Sequence, residues 1–262
     1  DFSDCPNASF ASARETPWRN GLPFAKGLRA AVEHLQEMDG GLPHSDWRYG
    51  VYRFQIDLVQ RGYLQSFHLE TGNAITTRLS FPAGGDVVLN PIFYRFDEPE
   101  LHYIIIGFHP PRMVGIYFPE RKQVMSLMNH DHPIMRQGWD PDRIALSCVM
   151  LEELLRVNPA AVARHRAAEA SHRLVLTQAF HPNVGHQLSE EFPLLWNLFT
   201  KTDCDAALLT GPHDYLALAR QLPETVQREA VTFDESEAPW PVTYFNAVLE
   251  RGLLLGRMGV NR

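Results

Sequence analysis

A chain of 262 residues with 45% hydrophobic and 21% charged residues has the balance of a globular protein, and its length allows one large or two modest domains with a well-buried core. The formal net charge of −7, with twelve scattered histidines, provides no positive field to gather a polyanion, which excludes a general nucleic-acid binder. Three widely separated cysteines, Cys5, Cys148 and Cys204, fit neither a disulfide framework nor a zinc module, and no apolar run approaches the ~18 residues of a membrane span, so a reduced, cytoplasmic setting is expected.

Residues 1–48 mix Pro, Gly, Asn and Ser around one helical patch, GLRAAVEHLQEM, whose Leu28, Ala31, Val32 and Leu35 recur at helix spacing. From 49 to about 127 the period changes to two. YGVYRFQIDLVQ, GYLQSFHLET, AITTRLSFPA, GDVVLNPIFYRFD, LHYIIIGFHP, MVGIYFPE and KQVMSLM are short β-branched and aromatic runs, parted by the turn signals TGN, AGGD and DEPE. These predict a β-rich N-terminal region over 1–128. The Pro- and Asp-rich NHDHPIMRQGWDPDR, 129–143, reads as a connector.

Beyond it, apolar spacing from Ile144 to Leu155 predicts a helix, and NPAAVARHRAAEA a second, with Asn158 as N-cap and Pro159 in the first position. RLVLTQ, DAALLTG and REAVTF are compact strands, separated by the helical patterns GHQLSEEFPLLWNLFTKT, interrupted by Pro193, and YLALARQL. Strands alternating with helices, each strand a short continuous apolar run, predict an α/β domain over 144–262: an open parallel, Rossmann-like sheet covered by helices.

In such a sheet, ligands collect beyond the carboxyl ends of the strands. FHPNVGHQLSEEFPLLWNLF, 180–199, follows RLVLTQ at that position. Gly185 permits a tight turn and close approach of a ligand, and free amides of a first helical turn favour an anion such as a phosphate. His186 and Glu190 are four residues apart and share one helix face, where an imidazole beside a carboxylate can serve as acid, base or anchor for a hydroxyl. The same pair also fits a cap and an i,i+4 surface contact. GPHDY, 211–215, follows DAALLTG and brings His213 and Asp214 to the same sheet edge, where Asp214 fits a helix N-cap equally well.

His186, three residues, Glu190, two residues, Pro193, Leu194 and Leu195 resembles the "H, three residues, Asp or Glu, two residues, Pro, then leucines" segment of glycosyltransferase family 61, and the "GH…WN" segment of related bacterial capsule and lipopolysaccharide glycosyltransferase-like proteins. The resemblance covers about twenty residues, or some ninety with the strand and helix order from 173 to 262. It implies half of a two-domain GT-B architecture and inverting, metal-independent transfer of a sugar from a nucleotide donor to a glycan or protein acceptor, with no cofactor. His186 and Glu190 would then be the catalytic pair, and Asn183, Gly185, Glu191, His213 and Asp214 would contact substrate. Gln187 stands where the family usually has an aromatic residue, Glu190 where Asp is commoner, and the family's glycine-rich "HGA" donor segment is missing. The resemblance therefore implies an acceptor-side half that works with a further C-terminal domain or a partner subunit, in keeping with the lack of an initiator Met.

Other motifs carry less. HDHP, 130–133, has no partner cluster nearby, and DPD, 140–142, and DCD, 203–205, read as turn and cap chemistry rather than a metal site. No G-x-S-x-G elbow is present, and Cys148 falls on an apolar helix as a small core residue. The alternative to a transferase is a noncatalytic carbohydrate-binding or assembly domain that uses Tyr94, Phe96, Tyr103, Phe108 and Tyr117 as stacking surfaces; those aromatics fit a core as well.

Overall fold

The computed structural model describes residues 9–12, 33–34, 52–83, 91–107, 113–126, 141–168, 173–177, 196, 200, 206–210, 230–232 and 240–255. Its centre is the aromatic stretch of the sequence. Strands β4 (Ser80–Pro82), β5 (Ile92–Phe96), β6 (His102–Ile106), β7 (Met113–Phe118) and β8 (Gln123–Ser126) run antiparallel in succession, and β1 (Ser9–Ser12) joins β8 in parallel to complete a six-stranded sheet ordered β1-β8-β7-β6-β5-β4. Register is set by cross-strand pairs such as Phe81 with Phe93, Phe93 with Ile105 and Tyr103 with Tyr117. Because side chains alternate along a strand, these residues share one face.

That face carries α2 (Pro141–Val157), α3 (Pro159–Ala167) and α4 (Trp240–Arg251), which contribute Ile144, Cys148, Leu151, Leu154, Phe245 and Leu249 to a core shared with Phe81, Phe93, Tyr103, Ile105, Val114, Tyr117 and Val124. The opposite face is covered too, since every residue of β6 and β7 is buried. A sheet buried on both sides needs no polar alternation, which is why HYIII and MVGIYF read as continuous apolar runs. Gly115 in β7 sits where a Cβ would lie 2.9 Å from the Met125 carbonyl oxygen, so only glycine permits this approach of β8.

The sheet's β4 edge is managed by its sequence and its neighbours. Pro82 lies on the edge strand, where a missing N–H costs no pairing. The chain leaving α4 turns round that edge into β12 (Gly252–Leu254), where the Tyr94 hydroxyl donates to the Leu254 carbonyl and the Leu254 N–H donates to Ser80 Oγ at 2.9 Å.

The structure corrects two expectations of fold. YGVYRFQIDLVQ is not a strand: Arg53–Arg61 forms helix α1. Phe54 and Leu58 are buried at i,i+4 spacing, Gln55 Oε1 accepts the Tyr52 N–H at 3.1 Å, and Gly62 at φ 71° closes the helix by donating to the Leu58 carbonyl. The apolar residues of this run fit a two-residue and a helical period alike, and the end groups decide it. Helix α1 leads into a separate antiparallel hairpin of β2 (Leu64–Phe67) and β3 (Ala74–Thr77).

The larger correction concerns class. An open Rossmann-like sheet forming half of a GT-B architecture does not organise this molecule; its principal sheet is built of antiparallel hairpins. Parallel pairing is confined to four short strands, β9 (Arg173–Thr177), β10 (Ala206–Thr210), β11 (Ala230–Thr232) and β12, in the order β11-β10-β9-β12. Helices α2 and α3, expected to cover a parallel sheet, pack instead on the antiparallel one. The physical reason is apolar payload: the aromatic strands IFYRF, HYIII and MVGIYF offer a large apolar surface for helices to cover. Asn158 stands at the α3 N-cap position, but its amide donates back to the Leu154 carbonyl at 2.8 Å, so it finishes α2 rather than capping α3. Among the described residues no helix is long and apolar enough to cross a membrane.

Candidate functional site

Strands β9, β10, β11 and β12 are mutually parallel, so their carboxyl ends lie along one side. The order β11-β10-β9-β12 means that the chain builds outward from β9 through β10 to β11 and then returns to the other flank of β9. Strand order thus reverses at β9. Residues 178 onward leave that strand at Thr177, and residues 211 onward leave the adjacent β10 at Thr210, one residue beyond Leu209, the partner of Thr177.

The seven residues singled out from the sequence, Asn183, Gly185, His186, Glu190, Glu191, His213 and Asp214, lie outside the described residues. So do HDHP, DCD and Pro193, while DPD runs into the start of α2 at Pro141. Within the 180–199 stretch the structure describes Trp196, which is helical and exposed, and beyond it Thr200, whose hydroxyl donates to the Trp196 carbonyl at 2.6 Å in an i,i+4 helical contact.

Two clusters of chemically capable side chains are described elsewhere, and neither was marked out by sequence reasoning. The first joins β7, the β7–β8 turn and α2. Tyr117 donates its hydroxyl to Glu152 Oε1, and Lys122 Nζ lies 2.6 Å from Oε1 and 2.5 Å from Oε2 of the same carboxylate. Burial pushes the Tyr117 phenol up, and its contact with the Glu152 charge raises it further. Burial likewise pushes up the Cys148 thiol, one turn earlier on α2, with the Glu152 charge adding to it. A phenol and a thiol held protonated in this way are poor nucleophiles, and both oxygens of the carboxylate are already occupied by the ammonium and the hydroxyl. The cluster's chemistry is that of a clamp.

The second cluster lies at the end of β5 and β6. His102, 1% exposed, is stacked between Phe96 and Phe118 at ring-centroid distances of 5.3 and 5.9 Å. Its Nδ1 is 2.8 Å from the Glu100 carbonyl oxygen, which can only accept, so Nδ1 carries the proton. Nε2 is buried with no hydrogen-bond partner. Burial holds this imidazole below its usual value, against the opposing pull of the Glu100 carbonyl and of the Glu100 and Asp97 charges. Nothing local in LHYIIIGF distinguishes this histidine from an ordinary strand residue; only the register of three strands reveals it.

Among the described residues no three His, Cys, Asp or Glu side chains gather in a way that could hold a metal ion. The aromatics weighed as sugar-stacking surfaces are inside: Tyr94, Phe96, Tyr103 and Tyr117 are each 3% exposed or less, and Phe108 lies outside the described residues. Compared with models of known protein families, with characterised proteins and with solved structures, the chain finds no match in any of the three.

Proposed function

We propose that this chain takes part in sugar transfer from a nucleotide donor to a hydroxyl of a glycan or protein acceptor, in a cytoplasmic setting. One observation carries the reading. The stretch containing His186 and Glu190 leaves the carboxyl end of β9, the strand at which a parallel order reverses, and the stretch containing His213 and Asp214 leaves the strand beside it. Ligands favour such places because loops part there and helix amides are free to meet an anion.

In this reading His186 or Glu190 takes the proton from the acceptor hydroxyl as its oxygen attacks the anomeric carbon, and the nucleotide leaves with the bonding pair. Amides of the following turn favour the phosphate charge. Asn183 and Gly185 shape the approach, and Glu191, His213 and Asp214 hold sugar hydroxyls. The competing reading, carbohydrate binding without chemistry, loses four of its five aromatic contacts to the core.

The test is turnover and binding across a panel of nucleotide sugars and glycan acceptors. Nucleotide-sugar binding, with release of the nucleotide slowed at least tenfold in His186→Ala or Glu190→Gln, is expected. Wild-type rates in both variants would remove the pair from the chemistry, and glycan binding indifferent to both, with no nucleotide-sugar binding at all, would favour the noncatalytic alternative.

A further inference from the structure

We propose that His102 is an acid-sensitive latch that holds together the corner where the β5–β6 turn, residues 97–101, meets the β7–β8 turn, residues 119–122. Phe96, His102 and Phe118 form a stack across β5, β6 and β7, nearly parallel at 11° between Phe96 and His102 and 30° between His102 and Phe118. Arg121 lies over the Phe118 ring, 5.9 Å from its centroid, and binds Glu100 at 2.9 Å. Glu100 in turn accepts the Nδ1 proton of His102 on its carbonyl. The two turns are therefore tied twice, directly by the Arg121–Glu100 ion pair and again through the neutral imidazole, which takes the Glu100 carbonyl on one side and the Phe118 face on the other.

A proton added to His102 must go to Nε2, the buried nitrogen without a partner. There it becomes a donor with no acceptor and carries a positive charge into a site closed to water. The charged groups that face it do not compensate. Glu100 is engaged by Arg121 at 2.9 Å and Asp97 by Arg95 at 2.7 Å, while His68, beside the β2 strand, and Arg121, across the Phe118 ring, are both of the sign that opposes a new cation. Stacking on two aromatic faces offers a cation some attraction, but too little to cover an unsatisfied buried charge. The ring gains most by leaving the stack for water, and when it leaves, the Glu100 carbonyl and the Phe118 face are released together, so that the corner is left to the partly exposed Arg121–Glu100 pair alone.

The experiment is a pH titration of the intact protein by NMR, following the ring nitrogens of labelled histidine and amide hydrogen exchange, corrected for intrinsic rate. Expected are a neutral His102 carrying its proton on Nδ1 at pH 7.5, a midpoint below the ordinary imidazole value, and a rise of at least tenfold in exchange across residues 95–103 and 117–122 between pH 7.5 and 5.5. The rise should be absent in His102→Phe, which keeps the stack without a titratable group; His102→Leu serves if that variant fails to fold. A midpoint of about 6.5 or above, or an unchanged acid-induced opening in a folded variant lacking the imidazole, overturns the proposal, and the wild-type midpoint alone decides it if neither variant folds.

Discussion

Lys122 binds both oxygens of Glu152, a residue thirty positions further along the chain, from a backbone in the left-handed region at φ 52°. Non-glycine residues adopt that region at a cost, so the turn between β7 and β8 is held in a conformation that its own residue disfavours. The carboxylate on α2 offsets part of that cost and ties the hairpin to the helix.

Replacement of Lys122 separates the two effects. Lys122→Ala loses the ion pair and keeps the strained backbone, whereas Lys122→Gly loses the pair and relieves the backbone. Glycine is expected to be the more stable variant by about 1 kcal/mol, while loss of the partly exposed pair costs about 0.2–1 kcal/mol in both. Urea unfolding measures both, and an alanine variant as stable as the glycine one would show that the turn stores no strain.

On the other side of the carboxylate, Tyr117→Phe removes a hydroxyl that donates to a charged acceptor and is expected to cost about 1.5–3 kcal/mol. Glu152→Ala should cost at least as much, since it leaves the Tyr117 hydroxyl buried without its acceptor. The double variant should then fall well short of the sum of the two. Simple additivity in denaturant unfolding would mean that the two groups do not interact.

Alkaline titration should divide the tyrosines. Burial raises the phenols of Tyr94, Tyr103 and Tyr117, so the folded state keeps protons that the unfolded chain gives up. The sign follows directly: their contribution to stability is fully present below the unfolded value of about 10 and is lost as pH rises above it. Absorbance at 295 nm should show these phenols ionising only with unfolding, and ionisation of every tyrosine in a still-folded protein would contradict the buried sites.

Cys148 should resist thiol reagents. In a Cys5→Ser, Cys204→Ser background its buried, protonated thiol is expected to react at the rate of opening rather than at the rate of reagent collision, independent of reagent concentration when reclosing is slow. Rapid labelling under native conditions would place the thiol outside the core.

Two glycines should fail differently when replaced by alanine. Gly115→Ala drives a Cβ to 2.9 Å from the Met125 carbonyl oxygen and 3.2 Å from Val124, so the strands must part, at about 1–3 kcal/mol. Gly62→Ala meets open space and is penalised only for its φ of 71°, at about 1–2 kcal/mol. The distinction appears in the hydrogen exchange of β7 and β8, which Gly115→Ala should accelerate and Gly62→Ala should leave alone.

How much of this was legible beforehand depended on whether the deciding interaction was local. The runs IFYRF, HYIII and MVGIYF announce themselves, because aromatic and β-branched residues between turn signals suit little but a buried sheet. Residues 53–61 do not, since Phe54 and Leu58 satisfy two periods and the choice rests on Gln55 and Gly62 at the ends. RLVLT, AALLT and AVT do pair in parallel, but local pattern does not say which sheet the helices cover, because that is decided by packing between elements distant in the chain. The Lys122–Glu152 clamp and the His102 stack were equally invisible, as each is assembled by elements that the sequence keeps apart. The residues proposed for chemistry, His186 and Glu190, lie outside the described residues, so what was legible there is a position after β9 and not an arrangement of side chains.

The backbone at Leu254 and Leu255 is held by Ser80, Tyr94 and Gln55, whose partners lie 174, 160 and 200 positions away in the chain. During synthesis, the ribosome must therefore reach Leu255, 200 residues beyond Gln55, before the β4 flank of the aromatic sheet receives its cover. Until then that flank presents greasy surface to the cell, and a nascent chain stalled before residue 254 should be a favoured client of chaperones.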